Sequence, residues 1–216
     1  MKILAIGAHL DDIELACGGT LAKALSRGHT VKMLVMSKSG YTGLDGSQKR
    51  TDDIAVNEGK KAASKLGIDD ISILDCDTKD IPYHSNTIEK IERVIVEFDP
   101  DVIFTHWVFD THQAHEGVAK STISAARRKN TIYMYEPIAP SGRSYQPFRA
   151  QMYSDIGDFI DNKIEALKEH ETEYRKYGED WLEGVRARAR FRGYEIGIQY
   201  AEVFEVLRCT FFEGDN

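Results

Sequence analysis

Cysteine is scarce in this 216-residue chain: Cys17, Cys76 and Cys209 are odd in number, far apart, and without a paired metal-binding spacing. That speaks against a disulfide framework. Long apolar runs are missing as well. No segment approaches the ~20 apolar residues needed to span a bilayer. The apolar start, Ile3 to Gly7, is interrupted by His9, Asp11, Asp12 and Glu14 before it could serve as a signal sequence. Membrane insertion is therefore not expected, and the cytoplasm is the default location. Basic charge is in deficit: 28 Lys and Arg face 35 Asp and Glu, for a formal net charge of -7. A nucleic-acid duplex or a membrane surface is then not the expected main partner, because phosphate binding needs concentrated Lys and Arg. The basic stretch Arg186, Arg188, Arg190 and Arg192 reads first as a solvated face and second as an anion- or subunit-contacting surface. The Gly-x-Gly-x-x-Gly turn of dinucleotide-binding proteins is also missing. Gly7 and the pair Gly18-Gly19 do not form it, and His9, Asp11 and Asp12 stand where a glycine loop should approach pyrophosphate.

What is present is an α/β pattern. The length allows a single domain with one substantial core, and no internal repeat defines a second. Residues 2–8 form a short, nearly continuous apolar run that reads as a buried first strand. A helix is expected over roughly 20–27, a strand over 30–36, and a polar loop over 37–49. A helix follows from Asp53 to about Leu66, stopped by Gly67, and then a strand over 71–74. Ile88, Ile91, Val94 and Ile95 have helical spacing. A strand at 102–105, a helix from near His115 toward Ala126, and a strand at 132–135 complete the regular part. Beyond it, Pro137, Pro140, Gly142 and Pro147 punctuate an extended connection. One long helix is expected from Ile156 to Tyr177, another over 181–190, and a last strand over 200–205. The alternation implies a layered, mostly parallel sheet with helices on both faces.

Ligands of open α/β sheets sit beyond the carboxyl ends of strands. The first strand exits into Ala8-His9-Leu10-Asp11-Asp12-Ile13-Glu14. Successive side chains point in different directions, so adjacent aspartates can divide the work. His9 and Asp12 suit imidazole and carboxylate metal ligands, Asp11 is left as a base, and Glu14 either supports the ligands or caps the following helix. The strand at 102–105 exits into a denser cluster, with His106, Asp110, His112, His115 and Glu116. Such a pair of segments points to metal-assisted hydrolysis.

These segments carry a resemblance. Residues 8–14 are similar to the Ala-His-Pro-Asp-Asp-x-Glu motif of the LmbE/PIG-L family of zinc-dependent N-deacetylases. Asp110-Thr111-His112-Gln113-Ala114-His115 resembles its Asp-x-His-Pro-Asp-His motif, and Gly193, Gly197 and Tyr200-Ala201-Glu202-x-Phe204 match a late stretch. The resemblance implies a Rossmann-like fold, zinc held by His9, Asp12 and His115, Asp11 as general base, and His112 facing the tetrahedral intermediate. Iron(II) or manganese could occupy similar ligands. It further implies an N-acetylated amino sugar or conjugate as substrate, and several family members assemble as homo-oligomers. Leu10 stands in place of the motif proline, and Ala114 in place of an acid whose task Asp110 could take over from the other side of His112. Ala55 occupies a position where an arginine often contacts substrate. Tyr41, Asp45, Trp107, Arg143 and Tyr145 are the candidate sugar-binding residues, each with loop structure or core packing as its alternative role. The competing classes are a metal-binding sugar-recognition protein without turnover and a magnesium-dependent sugar or nucleotide transferase.

Overall fold

The computed structural model describes residues 1–138 and 142–210. The elements in chain order are β1 (Lys2–Gly7), α1 (Asp12–Ser26), β2 (Thr30–Ser37), β3 (Tyr41–Thr42), β4 (Gln48–Arg50), α2 (Asp52–Lys65), β5 (Asp70–Cys76), α3 (Ser85–Phe98) and β6 (Val102–Thr105). They continue with α4 (Gln113–Ala125), β7 (Ile132–Tyr135), β8 (Met152–Asp155), a single 3-10 turn (Gly157–Phe159), α5 (Ile160–Lys168), α6 (Glu171–Tyr177), α7 (Glu179–Glu195) and β9 (Ala201–Arg208).

Seven strands form one sheet in the order β5-β2-β1-β6-β7-β9-β8, and β3 and β4 form a separate antiparallel hairpin. The first five strands of that order are parallel; β9 runs antiparallel to β7, and β8 to β9. This is a Rossmann-like arrangement with helices on both faces. Alternation along β1 supplies both cores. Ile3 and Ala5 pack with residues of α1 and α2, whereas Leu4 and Ile6 pack with residues of α3 and α4. The chain winds outward from β1 through β2 to β5, then returns to place β6 on the other side of β1. The β1/β6 junction is therefore the switch point, where the loops leaving the two strands diverge and open a crevice.

Several sequence expectations change. Gly18 and Gly19 do not delay α1, which starts at Asp12 and kinks at Cys17 (φ -139°, ψ 16°). The Glu202 carboxylate meets the backbone beyond the kink, accepting from Gly19 N at 3.0 Å, Thr20 N at 2.7 Å and the Thr20 hydroxyl at 2.5 Å. Lys163 balances that buried charge at 2.6 Å, with both side chains only 3% exposed. Replacing Lys163 by Met leaves Glu202 buried without its counter-ion. Breaking such a pair from one side costs about 3–5 kcal/mol, which urea denaturation should register; the double variant with Glu202→Gln should recover part of it.

The expected long helix over 156–177 is divided into α5 and α6, because His170 between them is drawn fully into the interior. The polar loop over 37–49 contains the β3/β4 hairpin, and β8 pairs with β9 as an edge strand where no strand was expected. Pro140 and the chain beyond residue 210 lie outside the described residues. The basic stretch of α7 is engaged internally: Arg186 pairs with Asp161, Arg188 donates to Pro137 O, Arg190 donates to Gln199 O, and Arg192 pairs with Glu136. Among the described residues no helix is long and apolar enough to cross a membrane.

Candidate metal centre and its cavity

Two close approaches bring the loops of the switch point together. Gly7 ends β1 where a Cβ would stand 3.0 Å from Ile13 Cγ1 and 3.3 Å from Asp12 Cβ, so the bare backbone lets the first turn of α1 fold back against its strand. Gly117 in α4 would place a Cβ 1.8 Å from the Ile81 carbonyl oxygen, so α4 lies directly on the segment that follows β5. That segment carries Thr78, and the α4 end carries His112 and His115.

Asp12 is the hub. Its Oδ2 accepts from His9 N at 2.6 Å and lies 3.3 Å from His9 Nδ1, while its Oδ1 lies 3.2 Å from His115 Nε2. His9 Nδ1 and His115 Nε2 are themselves 3.2 Å apart. These three groups form a cluster able to hold a cation. Ligand atoms about 2.0–2.1 Å from a tetrahedral zinc stand roughly 3.3 Å from one another; the two ring nitrogens have that spacing, each faces a different oxygen of Asp12, and one ligand atom from each residue lies within 4.8 Å of the others.

The other ring nitrogens fix the orientation. His9 Nε2 is 2.9 Å from Thr78 O, and His115 Nδ1 is 3.0 Å from Asp110 Oδ2. Each contact draws the proton of a neutral ring to the far nitrogen and turns the near one inward, the usual role of a group standing behind a metal-ligating histidine. Asp110 thus serves His115, and its other oxygen accepts from the His112 backbone N at 3.0 Å rather than from the His112 ring. Ala114, where the family motif has an acid, is fully buried in the core.

The cluster attracts positive charge. Burial opposes charge on His115, yet Asp12 and Asp110 push its pKa up to about 10. Burial likewise opposes His9, which Asp12 raises above its ordinary value. His106 and His112 go the other way. Burial and the neighbouring His115 hold both at about 4, hence neutral near pH 7. Neutral His106 accepts from Ala8 N at 2.9 Å and tethers the β6 exit to the β1 exit. His112 caps the start of α4, and its Nδ1 is buried without a hydrogen-bond partner among the described residues.

Asp11 stands beside the hub with φ 144° and ψ -26°, a conformation that L-residues rarely adopt. Its carboxylate makes no hydrogen bond among the described residues. Burial and the adjacent Asp12 charge raise its pKa to about 7. Leu10, in place of the motif proline, keeps a backbone N–H that donates to Ser39 Oγ at 2.9 Å, a bond proline could not make.

A cavity of about 770 Å³ opens over the cluster. Of the five sugar-binding candidates, Tyr41 lines it. The other four candidates do not. Trp107 is 1% exposed, with its indole N–H given to Glu205 at 3.1 Å, so it fills core. Asp45 folds back on Ser47 and Lys49 at the hairpin tip. Arg143 and Tyr145 lie exposed outside the cavity, Tyr145 packed edge-on against Phe109. Glu14 neither caps α1 nor touches the cluster; it lies 3.3 Å from His170.

His170 belongs to a buried network that sequence reasoning missed. Arg50 pairs with Glu58 at 2.9 Å, lies 3.4 Å from His170 Nδ1, and faces Glu173 at 3.9 Å. Ala55 is buried, and Arg50 supplies the guanidinium that lines the cavity. Tyr135, Glu136, Glu173, Tyr177, Asp180 and Trp181 also line the cavity and were likewise missed. A lone tryptophan in the charged stretch 179–195 was the one available signal.

A family model described as PIG-L: GlcNAc-PI de-N-acetylase matches residues 4–126, a span that holds every group of the cluster. The chain belongs to the PIG-L family. Within reach of this PIG-L chain are the uncharacterized deacetylase YaiS of Escherichia coli K12, 31% identical over 177 residues covering 79% of this chain and 90% of that protein, and a diacetylchitobiose deacetylase of Thermococcus kodakarensis, 25% identical over 217 residues covering 93% and 81%. Among solved structures, GalB of Pseudomonas putida KT2440, a 4-carboxy-2-hydroxymuconate hydratase, superposes with a TM-score of 0.81 at 19% identity, covering 100% of this chain and 99% of that one. A hydratase on the same fold means that architecture alone does not select the reaction. In this PIG-L chain it is the cluster and its cavity that bear on the chemistry.

Proposed function

We propose that this chain is a metal-dependent N-deacetylase that hydrolyses the N-acetyl amide of an amino sugar or its conjugate, releasing acetate and a free amine. The observation that carries the reading is the convergence of His9 Nδ1, Asp12 and His115 Nε2 at 3.2–3.3 Å, with the unbonded Asp11 carboxylate beside them at the cavity floor. The deacetylase names of YaiS and of the archaeal relative agree with it.

His9, Asp12 and His115 would hold the ion. Two imidazoles and one carboxylate suit zinc, with iron(II) or manganese as alternatives, and leave positions open for reactants. The ion would supply Lewis acidity toward the attacking water and the substrate carbonyl. Asp11 takes the proton of that water as general base, ionised once a cation offsets the neighbouring Asp12 charge. His112, neutral, donates a ring N–H toward the developing oxyanion. Asp11 then returns the proton to the departing amine nitrogen, which completes the exchange of one C–N bond for one C–O bond.

The transferase reading loses ground, since magnesium favours oxygen ligands and this cluster turns two ring nitrogens inward. Sugar binding without turnover has one observation in its favour: with Ala114 in the core, no carboxylate contacts the His112 ring among the described residues. The deciding experiment loads the protein with zinc, iron(II) or manganese and measures amine release from a panel of N-acetylated sugars and their conjugates. Turnover with at least one metal is the expected result. Full metal occupancy with no amine released from any member would sink the hydrolase reading and leave sugar binding.

A further inference from the structure

The late stretch Tyr200-Ala201-Glu202-x-Phe204 takes no part in the chemistry proposed above, yet it sends one carboxylate to the helix that carries Asp12. In an unbroken α1 the Gly19 and Thr20 N–H groups would donate to Leu15 O and Ala16 O, four residues back. Here both donate to Glu202. A side chain inserted into the hydrogen-bond ladder is a recognised cause of a helix bend, and the bend falls at Cys17, two residues before Gly19. Two segments result. Glu202 caps the start of the second, where a carboxylate suits free N–H groups. The first, residues 12–16, is little more than one turn.

A segment that short has no direction of its own, because one turn closes too few hydrogen bonds to offset the cost of ordering it. Its two ends decide. At the start, Asp12 Cβ and Ile13 lie against Gly7, the last residue of β1. At the far end the chain turns at the Glu202 bend. Held between them, the segment presents Asp12 to His9 and His115, with Oδ2 accepting from His9 N at 2.6 Å, and places Leu15 and Ala16 in the cavity wall. Stability alone does not account for the arrangement. An unbroken helix would satisfy the same two N–H groups with its own carbonyls, whereas Glu202 and Lys163 bury opposite charges, a pair whose desolvation cost can exceed its attraction.

We infer that Glu202 is a positioning residue for Asp12: by holding the bend, it fixes the direction in which the first segment of α1 offers that carboxylate to the metal centre. Lys163 holds the Glu202 carboxylate from behind. The inference deepens the reading of His9, Asp12 and His115 as metal ligands, and its test separates the two.

Two double variants of the full chain are compared with wild type. Lys163→Met/Glu202→Gln keeps an acceptor for the α1 N–H groups, whereas Lys163→Met/Glu202→Leu keeps none and lets the ladder close. Neither leaves a buried ion unpaired, so both should remain folded. Zinc affinity, read by competition with a chromophoric chelator, should fall about tenfold or more in the leucine variant, the size usual for a group that orients a ligand. It should fall much less in the glutamine variant, and the visible spectrum of bound cobalt(II) should shift in the same order. Equal losses in the two variants, or affinity and spectrum unchanged in the leucine variant, would overturn the positioning role. Glu202→Asp keeps the charge opposite Lys163 and draws the carboxylate back by one methylene. If the leucine variant fails to fold, a lower affinity and a shifted cobalt spectrum in Glu202→Asp support the role, and wild-type values overturn it. If the wild-type chain takes up neither zinc nor cobalt, the ligand reading fails and the His9 amide proton becomes the readout. Its hydrogen bond to Asp12 places it far downfield in the wild-type spectrum. A move upfield in the leucine or aspartate variant supports the positioning of Asp12, and an unmoved resonance overturns it.

Discussion

Asp11→Asn should lower amide hydrolysis by about 10³-fold or more while the protein keeps its metal. General-base groups contribute roughly 10²–10⁴-fold, and Asp11 is asked to move the proton twice, from water and then to the amine. Metal content should not change, because the three converging groups are His9, Asp12 and His115. Stability supplies a second readout with a definite sign. In the metal-stripped protein, burial and Asp12 hold the Asp11 carboxyl at about 7, against 3.8 for an unperturbed aspartate. The folded chain thus binds that proton more tightly than the unfolded chain, so stability falls as pH rises from about 4 to 7. Asparagine does not titrate. The metal-stripped variant should therefore melt higher than the metal-stripped wild type at pH 8, with the gap closing toward pH 4. Turnover within tenfold of wild type would remove Asp11 from the base role.

The second large effect concerns the metal itself. Asp12→Ala removes the carboxylate that both ligand histidines face, and it should abolish stoichiometric metal binding and activity together. In the intact protein, binding should be coupled to proton release. Asp12 and Asp110 hold His115 protonated up to about 10, and Asp12 raises His9 above its usual value. An ion entering at pH 7 must displace those protons, roughly one to two per site, and affinity should climb with pH. Calorimetry in buffers of different ionisation enthalpy counts them. Asp110→Asn withdraws the carboxylate behind His115 and should weaken affinity by about 10–100-fold, the usual penalty for losing such a partner. Metal binding without proton release, or undiminished in Asp12→Ala, would mean that the ion sits elsewhere.

Both chemical segments were legible in the sequence because strand exits concentrate them: short apolar runs mark β1 and β6, and the polar residues that follow have no place in a core. The partners of those residues were not legible. Thr78 meets His9 across 69 positions of chain and Ala8 meets His106 across 98, pairings set by strand order alone. The break between α5 and α6 was hidden for a related reason: His170 is pulled inward by Glu14 and Arg50, neither of them near it in sequence. The helix expected only over 20–27 begins at Asp12 instead and runs through Gly18 and Gly19, with Glu202 accepting hydrogen bonds from the chain just beyond the kink. The short edge strand β8 has only intermediate burial and a weak alternation. For Trp107 the sequence left a sugar platform and core packing both open, and Glu205 on β9, which takes its indole N–H, holds it inside the core.

The two ligand histidines present opposite ring nitrogens, Nδ1 from His9 and Nε2 from His115. Their neutral tautomers are therefore mirror partners: the ring hydrogen stays on Nε2 in one and on Nδ1 in the other. Nitrogen-15 resonance distinguishes the two forms directly. Titrating a diamagnetic ion into labelled protein should produce one imidazole of each type in equal amount, a spectroscopic fingerprint of the centre that needs no substrate at all.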